Sequence, residues 1–294
     1  MGTLVSQALS IHSHHNSITT WCCRTLCNCI LLSTDPKERK VCQDKLADLR
    51  VPQLLLDGFS TRMQSMDVLI VQWVLKAVGS IARYHPSNCQ LFMSLHIADL
   101  VRNVHDHFLG SDNNYQDNNN NNTVYEDAEL LVENLCWVVG NISYPSVEFQ
   151  SIWADTGACQ FILDALTQHT SSEEIVQEAL RALRNVCYEH DANLDLLFQL
   201  GVVKALMVVI NHHRDQHDGW QVKEDKDEQH DTSADVLQWV WYAVAALSAH
   251  EPILFLLGSE GICDHVASSL LRFNNRPDLV QWVSLAVSKV SCMR

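Results

Sequence analysis

The chain is poor in residues that interrupt regular structure and poor in positive charge. Only 10 Gly and 6 Pro occur among 294 residues, and 20 Lys+Arg face 35 Asp+Glu. So little Gly and Pro excludes collagen-like and low-complexity classes, while a 47% hydrophobic content supplies the apolar surface for a large core. The formal charge of −15 has the wrong sign for gripping phosphate backbones, so nucleic acid is not read as a partner. No run of about 18 uninterrupted apolar residues exists. The start MGTLVSQALSIHSHH also lacks a basic segment followed by a long apolar one, so neither a membrane span nor an export signal is read. Eleven Cys is an odd count, and most stand singly inside apolar periodic segments, as small hydrophobes in a reducing compartment do. The expected location is cytoplasmic, with a nuclear or membrane-peripheral one left open.

Motifs of catalysis are missing as well. There is no G-x-S-x-G, P-loop, G-x-G-x-x-G or H-E-x-x-H, so no enzyme activity and no cofactor are expected. His212, His213 and His217 with Asp215 and Asp218 have metal-ligand chemistry, but in a hydrophilic stretch they read as solvated residues, and no metal site is expected. Cys22, Cys23, Cys27, Cys29 and Cys42 match no paired zinc pattern; those from 22 to 29 are expected on a buried helix.

What the chain does have is repetition. The segments VQWVLKAVGSI (71–81), VENLCWVVGNI (132–142), VQEALRALRNV (176–186), LQWVWYAVAAL (237–247) and VQWVSLAVSKV (280–290) align with apolar residues at places one, four, seven, eight and eleven. That is the stripe of a helix buried along one side. Ala77, Ala182, Ala243 and Ala286 at place seven let a neighbouring helix come close. Gly157, Gly201 and Gly261 each follow a short apolar helix and precede a longer one, where a left-handed residue is required. Arg50 and His96 take that place in earlier units. Both landmarks give a unit of roughly 43 to 46 residues, twice lengthened by some 17.

A unit of short helix, Gly, second helix and long third helix resembles the armadillo repeat, whose pattern is visible in LRALRNVCYEHDANLDLLFQLGVVKAL (180–206) and in EPILFLLGSEGIC (251–263). The resemblance covers about residues 17 to 291, and its degenerate motifs leave a HEAT-like or mixed solenoid open. It implies an all-α, right-handed α-solenoid of armadillo-like three-helix repeats, one domain over 1–294. The expected parts are a half unit at 1–32 and units at about 33–83, 84–143, 144–188, 189–249 and 250–291. Two polar stretches, 110–126 and 212–234, are expected as loops between second and third helices.

The resemblance also implies a function: a non-catalytic scaffold or adaptor holding a protein or extended peptide along a concave groove formed by the third helices. In armadillo proteins that hold extended peptides, a Trp and an Asn four residues later line that groove. The pair occurs here as Trp137 and Asn141, with Arg181 and Asn185 at the matching places of the next unit. Elsewhere the chain departs from it, with Lys76 and Ser80, Tyr242 and Ala246, and Leu285 and Lys289. Trp73, Trp239 and Trp282 stand three residues earlier on roughly the same stripe. The expected groove residues are therefore Trp73, Lys76, Trp137, Asn141, Arg181, Asn185, Trp239, Tyr242 and Trp282.

The two ends add expectations of their own. Met1 to Ser6 fits M-G-x-x-x-[ST], so an alternative is a membrane-tethered adaptor acylated with myristate at Gly2, membrane contact depending on that acylation. At the other end Ser-Cys-Met-Arg294 directly follows a helix carrying Val283, Ala286, Val287 and Val290. An uncapped apolar face there would be a partner surface, a surface for self-association or the mark of a truncated longer chain.

Overall fold

A computed structural model describes the chain except residues 61–62, 64–66, 111–121, 145, 219–231 and 291–294. Among the described residues there are seventeen helices and no strand, in two compact units. The first unit, Met1–Thr156, holds α1 (Gly2–His12), α2 (Asn16–Leu31), α3 (Pro36–Asp48), α4 (Val51–Ser60), α5 (Val68–Ala82), α6 (Pro86–Ser94), α7 (Ile97–Phe108), α8 (Asn122–Ser143) and α9 (Val147–Asp155). The second, Gly157–Arg294, holds α10 (Ala158–Gln168), α11 (Glu173–Cys187), α12 (Asp191–Gln199), α13 (Val202–Asp218), α14 (Thr232–Leu247), α15 (Glu251–Ser259), α16 (Ile262–Arg272) and α17 (Pro277–Val290). The division falls inside 144–188, between the first and second helices of that repeat. Helix also enters both stretches expected as loops: α8 starts at Asn122, α13 runs on to Asp218 and α14 begins at Thr232. The α13 extension has a packed base, since His213 is buried. The remainder of those two stretches lies outside the described residues.

The aligned segments become the third helices, and their stripe is the core. Val71, Val74, Ala77, Val78 and Ile81 are fully buried on α5, as are Val176, Ala179, Ala182, Leu183 and Val186 on α11. Third helix packs on third helix, with α5 between α2 and α8 in the first unit and α14 between α11 and α17 in the second. The alanines at place seven, Ala77, Ala182, Ala243 and Ala286, are fully buried, which permits close approach of these neighbours. Second helices stack likewise, α1 against α4 and α10 against α13.

Sharp corners between first and second helices need a left-handed residue. All five expected positions adopt it: Arg50 (φ 57°), His96 (58°), Gly157 (84°), Gly201 (84°) and Gly261 (81°). Two further left-handed residues, Tyr84 (φ 57°) and Glu189 (53°), stand at the opposite corner, where a third helix hands over to the next first helix. Each precedes a histidine that caps that first helix. His85 Nδ1 accepts from the Asn88 N–H and His190 Nδ1 from the Asn193 N–H, both at 3.2 Å. The buried amides of Asn88 and Asn193 donate back to the carbonyls of Ile81 (3.0 Å) and Val186 (2.8 Å), satisfying acceptors that the ends of α5 and α11 leave open. Because Nδ1 of His85 accepts, its Nε2 carries the proton and donates to Asp44 on the preceding first helix at 2.8 Å. His250 Nε2 also meets Asp195 on the preceding first helix at 2.8 Å, without a capping bond at its Nδ1.

At the end of the described chain, Val283 and Ala286 are fully buried in α17, which packs on α14 and α16. Of the residues on which an end surface was expected, Val283 and Ala286 thus pack on the neighbours of α17, Val287 is half-buried and the side chain of Val290 lies outside the described residues, while Leu285 is exposed. Thiols fill the core, with Cys22, Cys23, Cys27, Cys89, Cys136, Cys159 and Cys187 buried. Burial pushes Cys27 up to about 11 and Cys89, Cys159 and Cys187 up to about 12, so all four are protonated at neutral pH.

Candidate functional site: the third-helix faces

In the first unit, α2 carries Trp21 and Arg24 three residues apart, and α5 carries Trp73 and Lys76 at the same interval with Arg83 at its end. Residues at such spacings share one helix face. Trp21 is 63% exposed, and Trp73, Lys76 and Trp137 are half-buried. The Arg24 guanidinium lies 4.8 Å from the Trp21 ring centre and 5.0 Å from that of Trp73, bridging α2 to α5. Arg83 lies 5.0 Å from the Tyr84 ring and 5.1 Å from that of Trp137, bridging α5 to α8. A guanidinium over an indole or phenol face is held by the ring quadrupole.

Trp137 owes its position to Gly79, because a Cβ on that residue would overlap the indole Cδ1 and Nε1. Asn141 is 7% exposed, and its amide donates to the Trp137 carbonyl at 2.7 Å. The Trp–Asn pair is thus on one stripe, with the indole lying across the neighbouring helix and an amide N–H directed back along its own helix.

The second unit repeats the arrangement with other residues. Arg184 lies 4.4 Å from the Tyr188 ring and 4.6 Å from that of Tyr242, bridging α11 to α14, and donates to the Asn185 Oδ1 at 2.7 Å. Tyr242 stacks on Trp282 of α17 at 3.8 Å between centroids, and the Trp239 ring lies 5.8 Å from that of Tyr242, tilted. Arg181 is paired with Glu178 one turn earlier, its Nε donating at 2.8 Å. Of the expected groove residues, Trp73, Lys76, Trp137 and Asn141 thus fall in the first unit, and Arg181, Asn185, Trp239, Tyr242 and Trp282 in the second. The Arg24, Arg83 and Arg184 bridges were not read from the sequence. Their signal was an arginine one to three turns from an aromatic residue on a third helix.

The other candidates have less around them. His212 and His213 meet edge to face at 5.1 Å, and the side chains of Asp215, His217 and Asp218 lie outside the described residues. Among the described residues no three His, Cys, Asp or Glu side chains converge as a metal site. Gly2 begins α1, where a Cβ would stand 3.2 Å from Leu49 Cδ1. Among the described residues no single helix is long and apolar enough to cross a membrane.

No family model matches the chain, and no curated protein matches it. Solved structures do. An engineered protein is similar over 98% of this chain and 96% of its own, with a TM-score of 0.71 at 13% identity. A designed armadillo repeat protein is similar over 99% of this chain and 100% of its own, with a TM-score of 0.67 at 14% identity. Another, in complex with the peptide (KR)4, is similar over 98% of both chains, with a TM-score of 0.65 at 14% identity. Helix order, the repeated left-handed corner and these likenesses agree: the chain has the armadillo-repeat fold, an α-solenoid of three-helix units.

Proposed function

We propose that the chain is a non-catalytic scaffold or adaptor that holds an extended segment of another protein along its third-helix faces. One observation carries this reading: successive third helices within each unit place aromatic rings and guanidinium groups on the same stripe, on a fold for which one designed example is in complex with a peptide. Large rings with arginines are the side chains enriched where binding energy concentrates. Burial of most of the thiols in the core, as small hydrophobes, is in keeping with a reducing, cytoplasmic setting. The test is selection from a displayed library of random short peptides, followed by hydrogen exchange on the complex. Enriched peptides should protect α5, α8, α11 or α14, and Trp21→Ala with Trp73→Ala should weaken those held by the first unit at least tenfold. Failure to enrich any peptide, or protection confined to the first helices, would overturn the reading.

A further inference from the structure

The chain as a whole is strongly acidic, yet two of the helices that build this face are not. α2 and α5 contain no Asp or Glu at all, in a chain with 35 of them. They carry Arg24 and Lys76, and Arg83 closes α5. On α8 the acids, Glu126, Asp127, Glu129 and Glu133, all precede Trp137. Among the described residues no carboxylate lies within ion-pair distance of Arg24, Lys76 or Arg83. Other arginines of this chain do find acids: Arg181 pairs with Glu178, and Arg276 with Asp235 and Asp278.

We propose that the third-helix face of the first unit selects an acidic extended peptide, whose Asp or Glu carboxylates meet Arg24, Lys76 and Arg83. This rests on the scaffold reading above and gives it a ligand chemistry. The Arg24 guanidinium lies over the rings of both Trp21 and Trp73, and a guanidinium held by ring faces keeps N–H groups for bonding to an anion. Arg83 lies likewise over the rings of Tyr84 and Trp137. A guanidinium edge fits a carboxylate with two parallel hydrogen bonds, and pre-ordering by the rings reduces the entropy lost on binding. A basic peptide such as the (KR)4 of the designed complex would instead meet three like charges here. The chain's charge of −15 disfavours nucleic acid, the other polyanion that such stacked arginines would suit.

Alternate residues of an extended peptide point to one side, so an alternating Glu–Ser peptide presents a continuous row of carboxylates. Fluorescence anisotropy of the full chain should show this labelled peptide binding at least tenfold more tightly than (KR)4, with affinity falling as salt rises. The triple variant Arg24→Gln, Lys76→Gln, Arg83→Gln should lose at least tenfold while keeping its circular dichroism. Absent binding of the Glu–Ser peptide, equal or tighter binding of (KR)4, indifference to salt, or an unaffected triple variant would each overturn the proposal. So would tighter binding of a single-stranded oligonucleotide. If the triple variant fails to fold, the peptide contrast and the salt series on the unaltered protein decide. If (KR)4 binds and Trp73→Ala abolishes it, the charge assignment fails and the scaffold reading stands; protection confined to first helices removes the scaffold reading itself.

Discussion

Gly79→Ala should reverse the sign of its effect with the residue opposite. In a helix interior, replacing Gly by Ala gains about 0.8–1 kcal/mol through reduced backbone entropy and better propensity. At Gly79 the added methyl would overlap the Trp137 indole, and forced overpacking costs about 1–3 kcal/mol. Displacing the indole also loosens Arg83 from its ring, removing about 0.5–1 kcal/mol more. The sum is a net loss of about 0.5–3 kcal/mol. With Trp137→Ala already in place the obstruction is gone, and the same Gly79→Ala change should stabilise by about 1 kcal/mol. Urea unfolding of the four proteins, followed by far-ultraviolet circular dichroism, gives the double-mutant cycle. Equal effects of Gly79→Ala in both backgrounds would refute the claim that this glycine exists to seat Trp137.

Two other outcomes follow from the corners and the thiols. At His96, left-handed and solvent-exposed, a change to Gly should raise stability by up to about 1 kcal/mol, whereas Gly201→Ala, with open space around its Cβ, should cost about 1–2 kcal/mol from backbone strain alone; thermal melts that show the opposite order would sink the corner argument. For Cys89, Cys159 and Cys187, burial raises the folded pKa to about 12, so above the unfolded value of about 8.5 the unfolded chain releases protons the folded chain keeps. Stability is therefore retained below that value and falls as pH rises toward 12, by about 1.4 kcal/mol per pH unit for each thiol. Urea midpoints at pH 8 and 10 should show this decline, and Cys159→Ala should reduce its slope; a flat profile would contradict it.

Repeats were legible because two independent periodicities survive in the sequence: the apolar stripe of third helices such as 71–81, and the corner marked by Gly157, Gly201 and Gly261. The corner could be extended to Arg50 and His96 by register alone, although neither residue type signals a positive φ. Tyr84 and Glu189 escaped because their signal is carried by the His-x-x-Asn that follows them, a capping pattern present only at His85 and His190. The site was legible as a stripe but not as a set of contacts. Trp137 could be placed on the third-helix face from its spacing. That its indole lies across Gly79 depends on the register between two helices 58 residues apart in sequence, which no local pattern reports. The arginine bridges have the same origin, since Arg24 and Arg184 each reach a ring on the next third helix.

Packing of each third helix on the next sets the order in which the chain can acquire structure. α2 finds its partner in α5, α5 in α8, α11 in α14 and α14 in α17, so the main contacts of these third helices are made with the adjacent repeat. A growing polypeptide with this wiring can begin to bury its first apolar stripes once α5 has emerged from the ribosome, without waiting for distant sequence. Loop-closure entropy stays low at each addition, which favours rapid, stepwise growth from a nucleus over a single late collapse.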